Sequence, residues 1–365
     1  MDDPFRFADE LGPLKLVQIW RPTLGLRAIV AIDNIACGPA IGGVRMAPDV
    51  TAEEAFRLAR AMTLKNAAAG LPHGGGKSVV FADPKMPVGD KELLIRAFAG
   101  AIADLRDYIP GPDMGTDELA MAWIRDETGR AVGLPRELGG IPLDEIGATG
   151  FGLVVAIEVA AQHLGLPLAA ARVAIQGFGS VGKHSARFLN GKGAVLVAAS
   201  DSQGTLADDG GLDVGALIAL KEEGRSLLDH PRGRKLGGDA VIDFPCDIWI
   251  PAARPDVIHA GNAARLRAKL VAQGANIPCT AEAEAMLAER GVLVFANAGG
   301  VICAAVEYQG GSEAAAFAAI DDRVRSNTGA VLDRASSGRM LPRAAAVELA
   351  RTRVERARRT RRWEH

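Results

Sequence analysis

Gly70-Leu71-Pro72-His73-Gly74-Gly75-Gly76-Lys77-Ser78 is the stretch on which the reading of the first half of the chain turns. Three consecutive glycines leave backbone without side chains, on which a flat substrate or a cofactor ring could lie directly. A lysine follows at once, and a second, Lys65, stands upstream near the end of a predicted helix. The ending Gly76-Lys77-Ser78 is that of a phosphate loop, yet that motif needs glycine at position 71, where the chain has Leu. It also needs a strand ahead of it, and the pattern there is helical. The phosphate reading is weak, and the role of Lys77 has to be read from the rest of the chain.

Outward on the N-terminal side, short apolar runs at 14–20, 26–32 and 41–46 alternate with turn residues and read as strands of a small sheet. The pair Gly42-Gly43 inside the third marks a bulge or a close backbone approach. Thr51-Ala52-Glu53-Glu54 is a capping box that opens a long helix, and Gly70 is its stop. That puts Lys65 in the last turns of the helix, Lys77 in the loop beyond, and residues 79–82 in a short buried strand. Helices are predicted over 91–105 and 117–128.

Gly147-Ala148-Thr149-Gly150 and the apolar helix over 151–164 read as a hinge. Beyond it the pattern becomes strand, glycine turn, helix, strand, with strands of a parallel sheet at 172–176, 195–199, 247–250, 270–272 and 292–295. Gly177-Phe178-Gly179-Ser180-Val181-Gly182 is a G-x-G-x-x-G motif in its required context: it follows a strand, opens a helix, and has Asp201 at the end of the next strand. Its glycines let backbone turn tightly beneath a pyrophosphate, whose charge the helix N-terminus favours. Asp201 would accept hydrogen bonds from the adenosine ribose and repel a 2′-phosphate. With neither Lys nor Arg over 201–211, NAD is expected rather than NADP. A dinucleotide domain implies hydride transfer, so the first domain should hold substrate and acid–base groups. Lys65 and Lys77 are the candidate cations there, and Asp113, in a loop rich in glycine and proline, is the candidate acid.

Composition narrows the classes. A chain of 365 residues suggests two domains, and 48% hydrophobic with 24% charged residues is the balance of a soluble globular protein. A net charge of −2 gives no electrostatic case for nucleic acid or an anionic membrane as partner. The N-terminus has no basic or apolar region of a signal peptide, and no apolar run reaches the about 18 residues of a membrane span. Cys37, Cys246, Cys279 and Cys303 are scattered without a C-x-x-C pair, which points to reduced thiols in a cytoplasmic protein and to no metal site. The arginine-rich tail over 351–365 reads as a solvated helix end, an RNA-binding arm being the alternative.

Several motifs in order make the chain resemble the glutamate/leucine/phenylalanine/valine dehydrogenase superfamily. They are Gly38-Pro39-Ala40-Ile41-Gly42-Gly43-Val44-Arg45, Met62-Thr63-Leu64-Lys65-Asn66, Gly74-Gly75-Gly76-Lys77 and Pro112-Asp113-Met114-Gly115-Thr116, then Ala148-Thr149-Gly150, the dinucleotide loop, Gly274-Ala275-Asn276 and Asn297-Ala298-Gly299-Gly300-Val301. The resemblance implies an α/β fold of two domains: an N-terminal α/β substrate-binding and oligomerisation domain over 1–147, and a C-terminal Rossmann dinucleotide-binding domain over 148–326. Helices over 327–365 would pack back towards the first domain, with an interdomain cleft that closes over the substrate. It implies that Lys65 binds the substrate α-carboxylate, with Gly43 also at the substrate. Lys77 would activate the water that attacks the iminium carbon, and Asp113 would shuttle protons to and from the amino group. Thr149, Asn276 and Asn297 would hold the nicotinamide end over the substrate Cα. A homo-oligomer is implied, with an L-amino acid, a 2-oxo acid and ammonium as small-molecule partners.

In relatives that use glutamate, the family pattern has a lysine just before the Gly-Gly pair and a serine on the helix after Asn-Ala-Gly-Gly. This chain has Ile41 and Ala304 at those places. A carboxylate buried there without a partner would cost several kcal/mol. The inferred pocket of Ile41, Gly111, Val301 and Ala304 suits an aliphatic or aromatic side chain. The expected function is NAD-dependent oxidative deamination of an apolar L-amino acid. Glutamate dehydrogenase is the alternative, since segments 112–116 and 148–152 look more like the glutamate branch. A catalytically silent NAD-binding regulator is the alternative from another class.

Overall fold

A computed structural model describes residues 3, 5–296 and 298–360. By packing these fall into two units: one holds the described chain up to Leu143, Val301–Ala319 and the chain from Val347; the other holds Asp144–Gly300 and Ile320–Ala346.

The first unit opens with strands β1 (Lys15–Arg21), β2 (Leu26–Asn34) and β3 (Ala40–Met46), then helix α1 (Ala52–Ala68). Next come β4 (Gly74–Val80), α2 (Val88–Ala101), β5 (Tyr108–Pro112) and α3 (Glu118–Thr128). Among the described residues the strands make a five-stranded sheet in the order β1-β2-β4-β3-β5. Strands β3, β4 and β5 are mutually parallel, and β2 runs against both its neighbours. The two-residue period of β2 divides the core: Val30 and Ile32 pack with Phe98, Ile102 and Met121, while Ile29 and Ala31 pack with Ala55 and Ala59 of α1. Thr51 Oγ1 caps α1 by accepting from the Glu54 N–H at 3.1 Å.

Two expectations are corrected here. Lys77 is not in a loop: Gly74–Val80 is one strand, and Lys77 stands in its middle. Glycine scores poorly as a strand former, which hid the first half of β4. Nor are the three glycines a surface for a substrate or a ring, because protein fills the space beside them. A Cβ on Gly74 would stand 1.8 Å from Asn34 O, one on Gly75 2.0 Å from Thr63 N, and one on Gly76 2.8 Å from the Tyr108 ring. The glycines let helix and strands close tightly onto β4.

The second unit begins around the single turn α4 (Leu143–Ile146), followed by α5 (Ala148–His163), β6 (Arg172–Gln176), α6 (Ser180–Asn190), β7 (Val195–Ser200) and β8 (Thr205–Ala207). The chain continues through α7 (Val214–Glu222), β9 (Arg234–Leu236), β10 (Ile248–Pro251), β11 (Leu270–Gln273), α8 (Ala281–Glu289) and β12 (Leu293–Ala296). Helices α9 (Gly299–Tyr308), α10 (Glu313–Gly338) and α11 (Pro342–Thr360) end the described chain, with Val301–Ala319 and the stretch from Val347 belonging to the first unit. The sheet order is β12-β11-β10-β6-β7-β8-β9, parallel from β12 to β7 and antiparallel at β8 and β9. This is the Rossmann-type arrangement, with chain order reversing between β6 and β10, where such sheets bind ligands. The two antiparallel strands are three residues each, too short to leave a sequence pattern.

The arginine-rich end is only partly the expected solvated helix. Arg356 and Arg359 are exposed. Arg353 instead donates to Ala67 O and Ala68 O at 3.0 and 2.5 Å, capping the C-terminus of α1, and Arg358 donates to Glu10 O and Leu11 O. Among the described residues, no helix is long and apolar enough to cross a membrane.

Candidate active site

Alternation along three parallel strands builds the site. Residues i and i+2 share a face, so β3 presents Ile41, Gly43 and Arg45 together, β4 presents Gly75, Lys77 and Val79, and β5 presents Ile109 and Gly111 with Asp113 just past its end. The register sets Ile41 beside Ile109 and Gly43 beside Gly111. One end of this face is apolar, the middle is glycine, and the other end is charged.

At the charged end Lys77 Nζ forms an ion pair with Asp113 Oδ2, reaching across Gly43. A Cβ on Gly43 would stand 2.7 Å from Asp113 Cβ and 3.1 Å from Lys77 Nζ, so only glycine leaves the pair room. The Lys77 side chain is 8% exposed. Burial pushes its ammonium below the ordinary lysine range; Asp113 opposes this and Arg45 adds to it. Burial alone would raise the Asp113 carboxyl, but Lys77 and then Arg45 outweigh it and hold the group below the usual carboxylate range.

Lys65 comes from the last turn of α1, which Asn66 ties to β4 by donating to Gly74 O at 2.6 Å. Burial lowers the Lys65 ammonium as well, and the charge of Lys77 lowers it further. Among the described residues Lys65 has no acidic partner. A partly buried ammonium in that position is a seat for an anion.

At the apolar end Ile41, Ile109, Val132 and Ala304 form one buried cluster, and a Cβ on Gly111 would meet Val132 Cγ2 at 3.0 Å. Of the expected pocket residues, Ile41, Gly111 and Ala304 therefore converge, and Val301 lies on the same helix, α9, partly buried. Ile109 and Val132 were missed in the sequence. Ile109 is signalled by strand register, which a motif search does not use, whereas Val132 lies in the loop after α3, held to β5 by its N–H donating to Pro110 O at 2.9 Å.

In the second unit the glycine loop leaves β6 and opens α6. Gly177 has φ +90° and packs on Ala253, and a Cβ on Gly182 would meet Gly177 O at 2.1 Å. Gly179 is the N-cap without a side-chain cap bond, and nothing lies within 4 Å of where its Cβ would be. First-turn N–H groups beside open space fit a dinucleotide pyrophosphate. Ser180 Oγ donates to Asp144 O at 3.1 Å, and Val181 lies against Gly274.

Asp201 does not stand as expected. Its carboxylate, 6% exposed, accepts from Lys221 Nζ at 3.1 Å, from Ser226 Oγ, and from the N–H groups of Leu227 and Gln203 at 2.9 Å. It is turned into the protein, and Lys221 of α7 brings it a cation that the segment 201–211 lacks. Thr149 is in the first turn of α5, its Oγ1 close to Gly300, and Asn276 is exposed in the turn after β11. Asn297 lies outside the described residues.

Sequence comparisons identify the family. The family described as Glutamate/Leucine/Phenylalanine/Valine dehydrogenase matches residues 139–362, and its dimerisation domain matches 19–130. A glutamate dehydrogenase of Aeropyrum pernix is 40% identical over 292 residues, spanning 75% of this chain and 70% of that protein. Other relatives carry NADP-specific and NAD-specific names. Among solved structures, the hetero-hexameric glutamate dehydrogenase from Thermus thermophilus, leucine-bound form, superposes with TM-score 0.86 at 31% identity, covering 97% of this chain and 91% of that one. An L-tryptophan dehydrogenase from Nostoc punctiforme gives 0.74 at 25% identity, covering 95% and 97%.

Proposed function

We propose, since the chain belongs to the glutamate/leucine/phenylalanine/valine dehydrogenase family, that it oxidatively deaminates an apolar L-amino acid to the 2-oxo acid and ammonium. The observation that carries this reading is the polarity of one sheet face. A Lys77–Asp113 pair stands at one end, within electrostatic reach of the Lys65 ammonium, which has no acidic partner among the described residues, and Ile41, Ile109, Val132 and Ala304 stand at the other.

Lys65 binds the substrate α-carboxylate. Asp113 takes a proton from the substrate ammonium, which frees the nitrogen lone pair as the Cα–H bond breaks. Gly177, Gly179, Ser180, Val181 and Gly182 are the residues that would hold the pyrophosphate of a nicotinamide coenzyme, which when bound would supply the acceptor for the hydride released from Cα. Lys77, whose buried ammonium is held below the ordinary lysine range and so gives up its proton more readily, is the base that takes a proton from the water adding to the iminium carbon. Asp113 returns its proton to the nitrogen, and the C–N bond breaks with its electron pair leaving on nitrogen. The departing ammonia takes the carbinol O–H proton as the C=O bond forms, giving the 2-oxo acid and ammonium. Thr149, Asn276 and Asn297 are proposed at the nicotinamide end.

The apolar cluster argues against glutamate, whose side-chain carboxylate would be buried there unpaired at a cost of several kcal/mol. The names of the curated relatives favour glutamate as the second reading. The coenzyme we assign is NAD. Since Lys221 already bonds Asp201, repulsion of a 2′-phosphate is softened and NADP should be accepted more slowly. The hetero-hexamer described for the Thermus relative supports assembly of several chains, here a homo-oligomer.

The test is reduction of NAD and of NADP with a panel of L-amino acids, with Lys77→Ala as control. Turnover of leucine, valine, isoleucine, methionine or phenylalanine that Lys77→Ala abolishes is expected. Turnover of glutamate alone would overturn the apolar reading, and no turnover at all would favour a silent regulator.

A further inference from the structure

Two charged side chains beside the reacting pair have no part in the chemistry above. Arg45 donates its Nε to Asp113 Oδ2 at 3.1 Å, the same oxygen that Lys77 Nζ meets. Its Nη1 donates to Glu54 Oε1 at 2.5 Å. Glu54 belongs to the capping box, but its carboxylate is given to Arg45. Charges therefore alternate along a line Glu54, Arg45, Asp113, Lys77, drawn from the first turn of α1, from β3, from the end of β5 and from β4. The Arg45 side chain is 16% exposed, and its guanidinium stays protonated at any working pH.

We propose that Arg45, backed by Glu54, is a positioning residue of the reaction: it holds the Asp113 carboxylate in place and keeps it an anion when Lys77 has given up its proton. The inference rests on Lys77 and Asp113 being the reacting pair.

The need for a third charge follows from burial. If Lys77 and Asp113 stood alone, each would owe its charge to the other. When Lys77 lost its proton, the buried carboxylate would take one up, and a general base and an anionic proton acceptor could not coexist. Arg45 is a cation that does not titrate, so it stabilises Asp113 throughout, and by repulsion it eases the proton off Lys77. Glu54 acts the other way on Lys77, favouring the ammonium, and it fixes the far end of the guanidinium. Among the described residues, Lys65 also acts on the pair, its ammonium and that of Lys77 repelling each other; Tyr108, a buried phenol whose pKa is pushed up, lies on the opposite face of the sheet, bonded to Ser78 Oγ and Gly42 O.

The signs are opposite for the two residues. Removing Arg45 takes a cation from both members of the pair, so both hold protons more tightly and the acid limb of kcat/KM moves to higher pH. Removing the charge of Glu54 weakens the hold on the Lys77 proton, so the limb moves to lower pH. The experiment is kcat/KM against pH for wild type, Arg45→Met, Arg45→Lys and Glu54→Gln, using the best amino acid of the panel. Expected is an alkaline move on the order of one pH unit for Arg45→Met, a limb near wild type for Arg45→Lys, and an acid move for Glu54→Gln. Unmoved limbs, or moves in the same direction, would overturn the proposal, because lost packing alone lowers rate without reversing sign. Should Arg45→Met not fold, Glu54→Gln decides: an unmoved limb overturns it. Lys77→Ala separates the two layers. Full activity there removes the assigned pair itself, whereas an inactive Lys77→Ala beside unmoved limbs removes only the role of Arg45.

Discussion

Gly43 governs the Lys77–Asp113 pair by having no side chain. Lys77 and Asp113 meet across it, and its backbone is not in the left-handed region, so the constraint is space alone. Gly43→Ala should therefore fold and yet push the pair apart by about the 1 Å that costs on the order of 10²-fold in rate. Measured kcat with an unchanged circular dichroism melt checks this; a variant with wild-type kcat would show that the pair is not the reacting one. Other residues were legible to different degrees. Lys65, Lys77 and Asp113 stand in glycine- and proline-marked motifs, and three strands bring the last two together. Arg45 was visible only as the end of a motif, and Glu54 was assigned to helix capping, because local rules give a side chain to its nearest backbone partner first. Asp201 had the right spacing, but Lys221 and Ser226 reach it from further along the chain, which spacing does not report.

At the scale of elements, the strands and helices of the first unit and the parallel strands of the second were legible from hydrophobic period, while the order of strands in each sheet was not, and the first half of β4 was hidden by its own glycines. Helix α9 shows another long-range dependence. Its Glu307, 7% exposed, accepts from the N–H groups of Gly133 at 2.7 Å, Leu134 at 3.0 Å and Ile141 at 3.1 Å. Ala304 lies one turn earlier on α9, and Val132 directly precedes Gly133, so this one carboxylate holds two walls of the apolar cluster together. Burial raises the Glu307 carboxyl and the three N–H groups oppose that. Glu307→Ala would leave three buried donors without a partner and cost about 3 kcal/mol or more. Glu307→Gln keeps one accepting oxygen but turns a donor towards one of the N–H groups, so it should recover only part of the loss. Urea unfolding measures the first effect. The KM for a branched substrate should rise for both variants, with kcat falling less, if the contact shapes the pocket. Nothing in the sequence near Glu307 signals this role, since its partners lie at positions 133–141.

At the scale of the whole chain, the first unit is not a continuous stretch. It takes Val301–Ala319 and the segment from Val347 into its own core, where Ala350 and Val354 pack with Leu11, Ala36 and Ala67. Sequence patterns mark where elements begin and end, but a return of the chain to an earlier core leaves no local trace, because it depends on complementarity between distant faces. The return has an energetic consequence. A fragment of residues 1–143 would expose the end of α1 that Arg353 caps, lose the Glu307 tether and uncover the Leu11 cluster. Each such contact is worth about 1–3 kcal/mol. Against a total stability of about 5–15 kcal/mol, losing them together should leave the fragment without a cooperative transition. Urea titration of the fragment beside the full chain, followed by limited proteolysis, tests this. A sharp transition in the fragment near the midpoint of the full chain would mean that the returning helices decorate the first unit rather than complete it.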